Sequence, residues 1–367
     1  MGKEVISNRQ GITMMSLFIM GSTLVLGIGS DSKQDSWFAI VLAAILASLV
    51  MAIYARILSL FPEKNLYDIL NNIFGKIAGR IIALIFVWYA FHLGCIVLRN
   101  FQEFIKVVAF PETPEFVPIM LMGVLCIWIV KEGIEVLGRF SQLVILILSF
   151  IIITVVILGI TNADFNNLRP FLYNGFKPVL NSAFSVFSFP FAETVLFMGT
   201  FNFNKERNNP FKVYYYALAI GTFFVLIVAL RNTLVIGADF VEQTYFPSYV
   251  AVSLISIGDF LQRIESTVAV VLLFAGFVKI SVCLLSACKG VDYIFKTGNY
   301  RQIVAPVGLL MMITSCFIYQ SVMEMFEWAF EIYKYYAFPF QVVLPIIIWI
   351  TAEIKVKKQK ALNNSLT

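Results

Sequence analysis

Two residues of opposite charge, Glu193 and Lys279, lie deep inside long apolar stretches of this sequence. Charged side chains are costly within a bilayer unless they are paired, hydrated or neutralised, so their presence there indicates function by default. Each residue lies about 15 positions from the outer end of its stretch, which corresponds to about 22 Å along a helix. This similar depth predicts an ion pair. Alternatively, Glu193 stabilises a local break in its helix, and Lys279 lies near a span end and extends to water.

Further polar residues follow one face of an earlier apolar stretch. His92, Arg99, Glu103 and Lys106 step by seven, four and three positions, spacings that share one face of a helix. One interpretation places this face along an outer vestibule, with Tyr89 as an aromatic wall deeper in. The other assigns Arg99, Glu103 and Lys106 to ion pairs at an interfacial helix end.

The sequence contains no catalytic or metal-binding motif. Its one histidine, His92, is not part of an HExxH pattern, and neither a Walker nor a GxSxG motif is present. The five cysteines lie in apolar stretches without CxxC spacing, which is typical of small core residues and not of a metal site or a disulfide framework. We therefore expect no enzymatic activity, no metal and no cofactor.

The composition places the whole chain in a membrane. Of its 367 residues, 60% are hydrophobic and 13% are charged, and the mean hydropathy is +0.86. No polar block is large enough for a separate soluble domain, so residues 1–367 are predicted to form one membrane domain. The apolar stretches predict an all-α protein with ten transmembrane helices, at residues 12–30, 37–60, 80–109, 116–131, 140–160, 178–201, 212–238, 264–289, 302–320 and 337–352.

The basic residues indicate the orientation of these spans. Most of the 27 Lys and Arg residues fall on the side that carries both termini, and the positive-inside rule makes that side cytoplasmic. The net charge of +5 reflects this asymmetry and does not indicate binding to nucleic acid. The sequence therefore predicts a multi-pass protein with the lipid bilayer around it and both termini in the cytoplasm.

The order of the spans predicts an internal repeat. Amphipathic stretches at residues 63–79 and 247–264 each follow the second span of a five-helix half. Two inverted repeats, at about 12–160 and 178–352, place these stretches at equivalent positions on opposite faces of the membrane. A short cytoplasmic tail, 353–367, follows the second repeat.

In inverted repeats of this type, the first helix of each half is interrupted at the ligand site. The stretch MGSTLVLGIGS places the small residues Gly21, Ser22 and Thr23 near the midplane of the bilayer. The stretch FSFPFAE places Phe189 and Pro190, which lacks a backbone N–H, just before the buried acid. Unwound backbone at such breaks can hold a ligand carboxylate, although the same residue types also serve close helix packing or a simple kink.

These segments resemble those of a known family. MGSTLVLG and FSFPFAE are similar to the helix-break motifs of amino acid/polyamine/organocation transporters. The opening RQGITMM, the DSW that starts the second span and the LFPEKNLYDIL after it resemble the permease-like B subunit of bacterial endospore germinant receptors. The resemblance covers nearly the whole chain. It implies a LeuT-like fold of two inverted five-helix repeats, with helices 1 and 6 interrupted.

The resemblance implies that the protein senses a nutrient germinant, a small amino acid or similar solute, in the inner membrane of a spore. It also implies two protein partners, an A subunit and a C-subunit lipoprotein. Lys279 would supply a fixed positive charge where related transporters hold a cation, with Glu193 as its coupling partner. The ligand would lie between helices 1, 3, 6 and 8, against Gly21, Ser22, Thr23, Tyr89, His92, Phe189, Pro190 and Glu193.

Two other functions are compatible with the same residues. One is a proton-coupled amino acid symporter, in which the intramembrane Lys279 makes sodium coupling unnecessary. The other is a structural or channel subunit with a vestigial pocket. Uptake by the chain alone favours the symporter, binding without uptake favours the sensor, and the absence of any response to amino acids favours the third function.

Overall fold

A computed structural model describes residue 4 and residues 6–203, 209–255 and 264–364. Every regular element in this part of the chain is helical. The α-helices are α1 (Asn8–Met20), α2 (Ser36–Leu60), α3 (Leu66–Phe104), α4 (Phe116–Glu132), α5 (Ile134–Gly159), α6 (Phe176–Val186), α7 (Phe197–Thr200), α8 (Pro210–Ile236), α9 (Ala238–Gln243), α10 (Pro247–Ser253), α11 (Ser266–Phe295), α12 (Arg301–Ser315), α13 (Val322–Glu327), α14 (Tyr333–Phe338) and α15 (Leu344–Asn364).

Seven helical segments in the described ranges are long and apolar enough to cross a membrane, so the protein is a multi-pass membrane protein. The other three predicted spans coincide with α1, α4 and α12, which have 13, 17 and 15 residues. These helices are shorter than the about 20 residues that a full crossing takes, so the predicted count of ten is not confirmed. The seven segments are Ser30–Leu60, Leu66–Ala109, Ile134–Asn162, Phe176–Thr200, Pro210–Ile236, Ser266–Phe295 and Val322–Gln359.

The last of these segments begins earlier than the predicted span at 337–352. Two π-helical turns, Trp328–Ile332 and Pro339–Val343, join α13, α14 and α15 into one continuous segment. Its polar side chains Tyr333 and Gln341 are only 3% and 0% exposed, so they face the protein and not lipid. The prediction missed the first half of this segment because four charged residues, Glu324, Glu327, Glu331 and Lys334, lower the mean hydropathy of residues 322–336.

The first predicted amphipathic stretch forms a short helix of its own. α3 begins at Leu66 but is interrupted at Gly75, where φ is 78° and ψ is −173°, so the residues before Gly75 form a helix that is set off from the long span after it. Only a residue without a side chain adopts this φ readily. The second stretch, 247–264, is described in its first part as α10, and residues 256–263 lie outside the described ranges.

α11 lies at the centre of the helices and packs most extensively against α3. Gly290 of α11 permits this approach, since a methyl group there would lie 2.2 Å from Cγ2 of Val87 and 2.7 Å from the Tyr67 ring. The Tyr67 hydroxyl donates a hydrogen bond of 2.8 Å to the Ser286 carbonyl of α11, which holds the ring in place. Gly276 of the same helix has open space where a methyl group would extend.

We expect Gly290→Ala to destabilise the protein and Gly276→Ala to leave it unchanged or slightly more stable. The first methyl group overlaps Val87 and Tyr67, and overpacking of this kind costs about 1–3 kcal/mol. The second meets nothing, and alanine has a helix propensity better than glycine by up to about 1 kcal/mol. Thermal unfolding of the purified variants measures the difference. Equal melting temperatures would contradict the packing of α11 on α3.

Candidate functional site

The first helix is interrupted at the predicted place. α1 ends at Met20, and residues 21–29 form a series of turns. Gly21 has φ 13° and ψ −125°, which lies outside the helical region, while its N–H still closes the last turn of α1. Thr23 Oγ1 donates to a carbonyl of α1 at 2.8 Å, whereas Ser22 Oγ is buried without a hydrogen-bond partner. The break therefore leaves an unused hydroxyl group beside Gly21.

The second break lies between α6 and α7. A π-helical turn, Phe187–Phe191, follows α6, and a 3₁₀ segment, Ala192–Leu196, leads into α7. Within the turn, Phe189 has extended backbone angles, φ −132° and ψ 108°, and the next residue, Pro190, cannot donate a backbone hydrogen bond. This local geometry frees backbone groups of the segment that immediately precedes Glu193.

Lys279 of α11 lies between the two breaks and forms the predicted ion pair. Its Nζ is 2.5 Å from Glu193 Oε2, and both side chains are fully buried. The same Nζ lies 5.0 Å from the ring centre of Phe18 and 4.7 Å from that of Phe189, so two aromatic faces and a carboxylate surround the ammonium group. A side chain at Gly21 would meet the lysine, with Cβ only 2.6 Å from Cδ.

A hydrogen-bond network extends from the pair toward α3 and the last helix. Tyr333 donates to Glu193 Oε1 at 2.6 Å, and its hydroxyl oxygen lies 2.9 Å from that of Tyr89. The Gln341 amide nitrogen donates to the Tyr89 hydroxyl and to the Ser188 carbonyl, both at 2.8 Å. The second break, α3 and the last helix are therefore connected through one carboxylate. We call these five residues, Glu193, Tyr333, Tyr89, Gln341 and Ser188, the Glu193 network.

Sequence reasoning missed several contributors to this region. Tyr333 and Gln341 lie about two turns apart on one helical face, so their spacing identifies them once the helix is known to begin before residue 337. Tyr54 of α2 donates a hydrogen bond to the Gln341 carbonyl. A single tyrosine in an apolar span carries no spacing signal, and its role emerges only from the packing of α2 on the last helix.

Tyr89 and His92, the two residues of α3 that are predicted to line the ligand site, differ in their contacts. Tyr89 belongs to the Glu193 network, whereas His92 packs among aromatic rings. The His92 ring is stacked on Trp88 at 5.4 Å and contacts Tyr336 edge-on at 5.2 Å, and its Nδ1 has no hydrogen-bond partner. His92 therefore lies beside the network and not in it. Its assignment to ligand binding stays a prediction.

The charged residues farther along α3 form a cluster of ion pairs. Arg99 Nη2 is 2.7 Å from Glu103 Oε1, and both side chains are 2% exposed. Arg99 also pairs with Glu115 at 2.9 Å, and Lys106 bonds to the same carboxylate. The hydrogen bond from Lys106 lowers the pKa of Glu115 below its usual range. Of the predicted pairs within this stripe, the structure has Arg99–Glu103, whereas Lys106 pairs with Glu115. The outer vestibule stays a prediction.

The space beside the ion pair is small. A cavity of about 10 Å³ lies between α3, the second break and the last helix, and its wall includes Asn100, Phe189, Glu193, Trp328 and Tyr333. This volume corresponds to about one water molecule. An amino acid does not fit in it, so a ligand that reaches Glu193 must move these side chains apart.

Two sets of contacts hold the chain at the two ends of α1. On the predicted outer side, Ser248 Oγ of α10 donates to the Leu24 carbonyl at 2.5 Å. On the predicted cytoplasmic side, the Glu4 carboxylate accepts a hydrogen bond of 2.7 Å from Tyr300 and lies 3.1 Å from Arg301 Nη2. We call this conformation closed, because the cavity beside Glu193 is too small for an amino acid.

Comparison with known proteins identifies relatives along nearly the full chain. The model of the family described as spore germination protein matches residues 5–323. Spore germination protein KB of Bacillus subtilis (strain 168) is 29% identical over 365 residues, which cover 98% of this chain and 98% of that relative. The expected resemblance to permease-like germination proteins is confirmed.

Two solved structures have the same fold. Mhp1, a nucleobase-cation-symport-1 family transporter in a closed conformation with bromovinylhydantoin bound, gives a TM-score of 0.66 at 12% identity, covering 88% of this chain and 74% of Mhp1. MhsT in complex with L-phenylalanine gives 0.64 at 14% identity, covering 96% of this chain and 89% of MhsT. The chain therefore shares the LeuT-like fold of these transporters, while its division into two inverted five-helix repeats stays a prediction. At this identity the likeness concerns the fold alone.

We expect Glu193→Gln and Lys279→Met each to destabilise the protein more than the double substitution does. Either single change leaves one fully buried charge without its partner, at a cost of about 3–5 kcal/mol, whereas the double change removes both charges. Melting temperatures of the three variants form a double-mutant cycle.

The pair Arg56–Glu353 provides the control, with its 2.7 Å contact and a half-exposed arginine. Arg56→Met and Glu353→Gln should each change stability by less than about 1 kcal/mol, as expected for surface pairs. Additive destabilisation at Glu193 and Lys279 would show that the two residues act independently.

Proposed function

We propose that this chain, which belongs to the spore germination protein family, is a non-enzymatic nutrient sensor that binds a small amino acid or similar solute and triggers germination. The observation that supports this function best is the Lys279–Glu193 pair, fully buried between the two helix breaks. Charges held inside a membrane are functional by default. Here they lie beside unwound backbone, which can approach the charged groups of a ligand.

The proposed ligand site lies between α1, α3, the second break and α11. The two breaks supply backbone groups, and the Glu193 network supplies side chains that respond to a change at the carboxylate. Lys279 holds the position of a fixed cation. The residues proposed to contact the ligand are Gly21, Ser22, Thr23, Tyr89, Phe189, Pro190 and Glu193, with His92 acting on specificity from the adjoining aromatic cluster.

The size of the cavity connects ligand binding to a movement. Mhp1 and MhsT, which share the fold, were each solved with a small solute bound. The cavity of about 10 Å³ beside Glu193 is far smaller than such a solute, so ligand binding opens the closed site. A ligand that binds only the opened form shifts the population toward it. This shift is the proposed signal.

We place the protein in the inner membrane of the spore, with both termini in the cytoplasm, beside an A subunit and a C-subunit lipoprotein. Family membership and the likeness to spore germination protein KB support this placement. The excess of Lys and Arg on one side of the predicted spans supports the orientation. These partner subunits would receive the movement at the ligand site.

A proton-coupled amino acid symporter is the second candidate. It is favoured by one observation, the chain of hydroxyl groups from Glu193 through Tyr333 to Tyr89, with contacts of 2.6 and 2.9 Å. Such a chain can pass a proton to or from a carboxylate, and the fixed ammonium of Lys279 makes a sodium ion unnecessary.

Reconstitution of the purified chain separates these functions. A thermal shift with an amino acid, without accumulation of the radiolabelled compound in liposomes, supports the sensor. Accumulation that depends on a pH gradient supports the symporter. No shift with any of the twenty amino acids would contradict both and favour a structural subunit. Isolation from intact spores should recover two partner subunits with the chain, and its recovery alone would contradict the receptor assignment.

We expect Gly21→Ala to weaken the ligand response at least about tenfold, the effect of losing a charge-assisted hydrogen bond. The added Cβ would lie 2.6 Å from Lys279 Cδ and force the lysine away from Glu193. Membrane insertion should be unaffected, because alanine is fully compatible with lipid. Dose–response curves of germination measure the effect. Gly276→Ala, the same change with open space around it, is the matched control. A normal response of Gly21→Ala at normal expression would exclude the first break from the site.

A further inference from the structure

We propose that the α3–α11 pair binds an anionic phospholipid whose headgroup carries hydroxyl groups, as that of phosphatidylglycerol does. The headgroup occupies a cavity of about 380 Å³ at one end of the two helices, and none of the residues that line this cavity belongs to the helix breaks. The proposal is therefore independent of the proposed function. It rests on the charges that line the cavity, on the exposed apolar side chains beside them and on the depth at which both lie.

Three cations line this cavity, which we call the basic cavity. They are Lys76 and Arg80 of α3 and Lys296, which directly follows α11. Within the described part of the chain, none of the three forms an ion pair, whereas Arg301 at the start of α12 pairs with Glu4 at 3.1 Å. Cations that are grouped around one space without partners attract an anion to it.

The balance of charge in the basic cavity fits one phosphodiester. Asp68 and Asp292 also line it, so three positive and two negative charges leave a net charge of +1. A phosphatidylglycerol headgroup carries one negative charge and neutralises this excess. Phosphatidylethanolamine, whose ammonium group cancels its phosphate, leaves the excess in place.

The two carboxylates favour a headgroup that carries hydroxyl groups. Asp292 already accepts a hydrogen bond from the hydroxyl group of Thr297. An ionised carboxylate has only acceptor oxygens, so a hydroxylated headgroup offers it donors while the phosphate pairs with the cations. A headgroup with further negative charges would instead be repelled by Asp68 and Asp292.

Large apolar side chains beside the cations indicate that the occupant also has acyl chains. Ile77, Ile81 and Phe295 are 81%, 59% and 73% exposed, and each is directly adjacent in the chain to one of the three cations. In a bilayer, exposed apolar side chains of a spanning helix contact acyl chains. A phospholipid covers both the cations and these side chains, whereas a soluble phosphate compound covers only the cations.

The basic cavity lies at the depth where lipid headgroups begin. α11 ends at Phe295, directly before Lys296, and the long span of α3 begins after Gly75, directly before Lys76. Basic pockets between helices at the cytoplasmic end of a membrane protein bind anionic headgroups, and this end is the predicted cytoplasmic one. A headgroup there contacts residues of both α3 and α11 and therefore bridges the two helices.

Lipid binding to the purified full chain in an uncharged detergent tests the proposal. The probes are phosphatidylglycerol, phosphatidylethanolamine and phosphatidylcholine with the same acyl chains, and native mass spectrometry measures their affinities. We expect phosphatidylglycerol to bind at least about tenfold more tightly than the other two, because each basic residue near an anionic lipid contributes a factor of about five. Affinities within twofold of one another would overturn the proposal and favour an acidic segment of a partner protein as the occupant.

Substitution of the cations locates the lipid. The triple variant Lys76→Gln, Arg80→Gln and Lys296→Gln should bind phosphatidylglycerol at least about tenfold more weakly than the wild type. Its affinity for phosphatidylcholine should stay the same. If this variant does not fold, Lys296→Gln alone decides, with an expected loss of about fivefold. An unchanged affinity for phosphatidylglycerol would contradict a site at the basic cavity.

A matched triple variant controls for diffuse attraction to surface charge. Lys131→Gln, Lys357→Gln and Lys358→Gln remove the same charge from exposed lysines on the same predicted side of the membrane, away from the basic cavity. We expect this variant to bind phosphatidylglycerol within twofold of the wild type. An equal loss of affinity in the two triple variants would show that the lipid has no specific site at the basic cavity.

Competition with inorganic phosphate tests the part of the acyl chains. Millimolar phosphate should leave most of the phosphatidylglycerol bound, because a free phosphate ion makes no contact with the exposed apolar side chains. Displacement of the lipid by phosphate at equal concentration would show that charge alone is recognised and would overturn the assignment to a lipid.

Discussion

The ion pair of Lys279 and Glu193 is the interaction on which the arrangement of the described helices depends. Two opposite charges fully removed from water are tolerable only together, so the helices that carry them must hold them in contact. This requirement explains the missing side chain at Gly21, which leaves room for the lysine, and the two phenylalanine rings around its ammonium group. It also explains why the second oxygen of Glu193 accepts the Tyr333 hydroxyl.

Through the Tyr333 hydroxyl, the ion pair is connected to residues that carry no charge. Gln341 bonds to Tyr89 of α3 and to the backbone of the second break, and Tyr54 of α2 bonds to Gln341 in turn. A buried polar network stabilises a structure only when its members keep their partners. The ion pair is therefore connected by hydrogen bonds to α2, α3 and the last helix, a connection that the proposed sensor function would use.

Much of this architecture can be predicted from the sequence, because its strongest signals are local. Apolar stretches locate the long helices, and small residues or proline inside them locate the breaks. The ion pair is predictable because the rise of a helix per residue gives the depth of each charge in the membrane from its position in the sequence. Side-chain direction is a weaker signal: Tyr89 and His92, three residues apart, both contact the Tyr336 ring, but only Tyr89 bonds to Tyr333.

The misses have physical causes in particular residues. Hydropathy averages over a window, so the charges of Glu324, Glu327, Glu331 and Lys334 hid the first half of the last helix. Gly75 does end the short amphipathic helix, as its residue type suggests, because its non-helical backbone angles separate that helix from the span that follows. The count of ten spans stays a prediction, because α1, α4 and α12 are shorter than the about 20 residues of a full crossing.

The neutrality of the pair has an electrical consequence. Moving one elementary charge through a membrane potential of 100 mV takes about 2.3 kcal/mol, so a site with net charge responds to voltage when it moves. Lys279 and Glu193 are held 2.5 Å apart and sum to zero. A joint displacement of the two helix segments that carry them therefore does almost no work against the field. The pair itself therefore contributes almost nothing to any voltage dependence of this site.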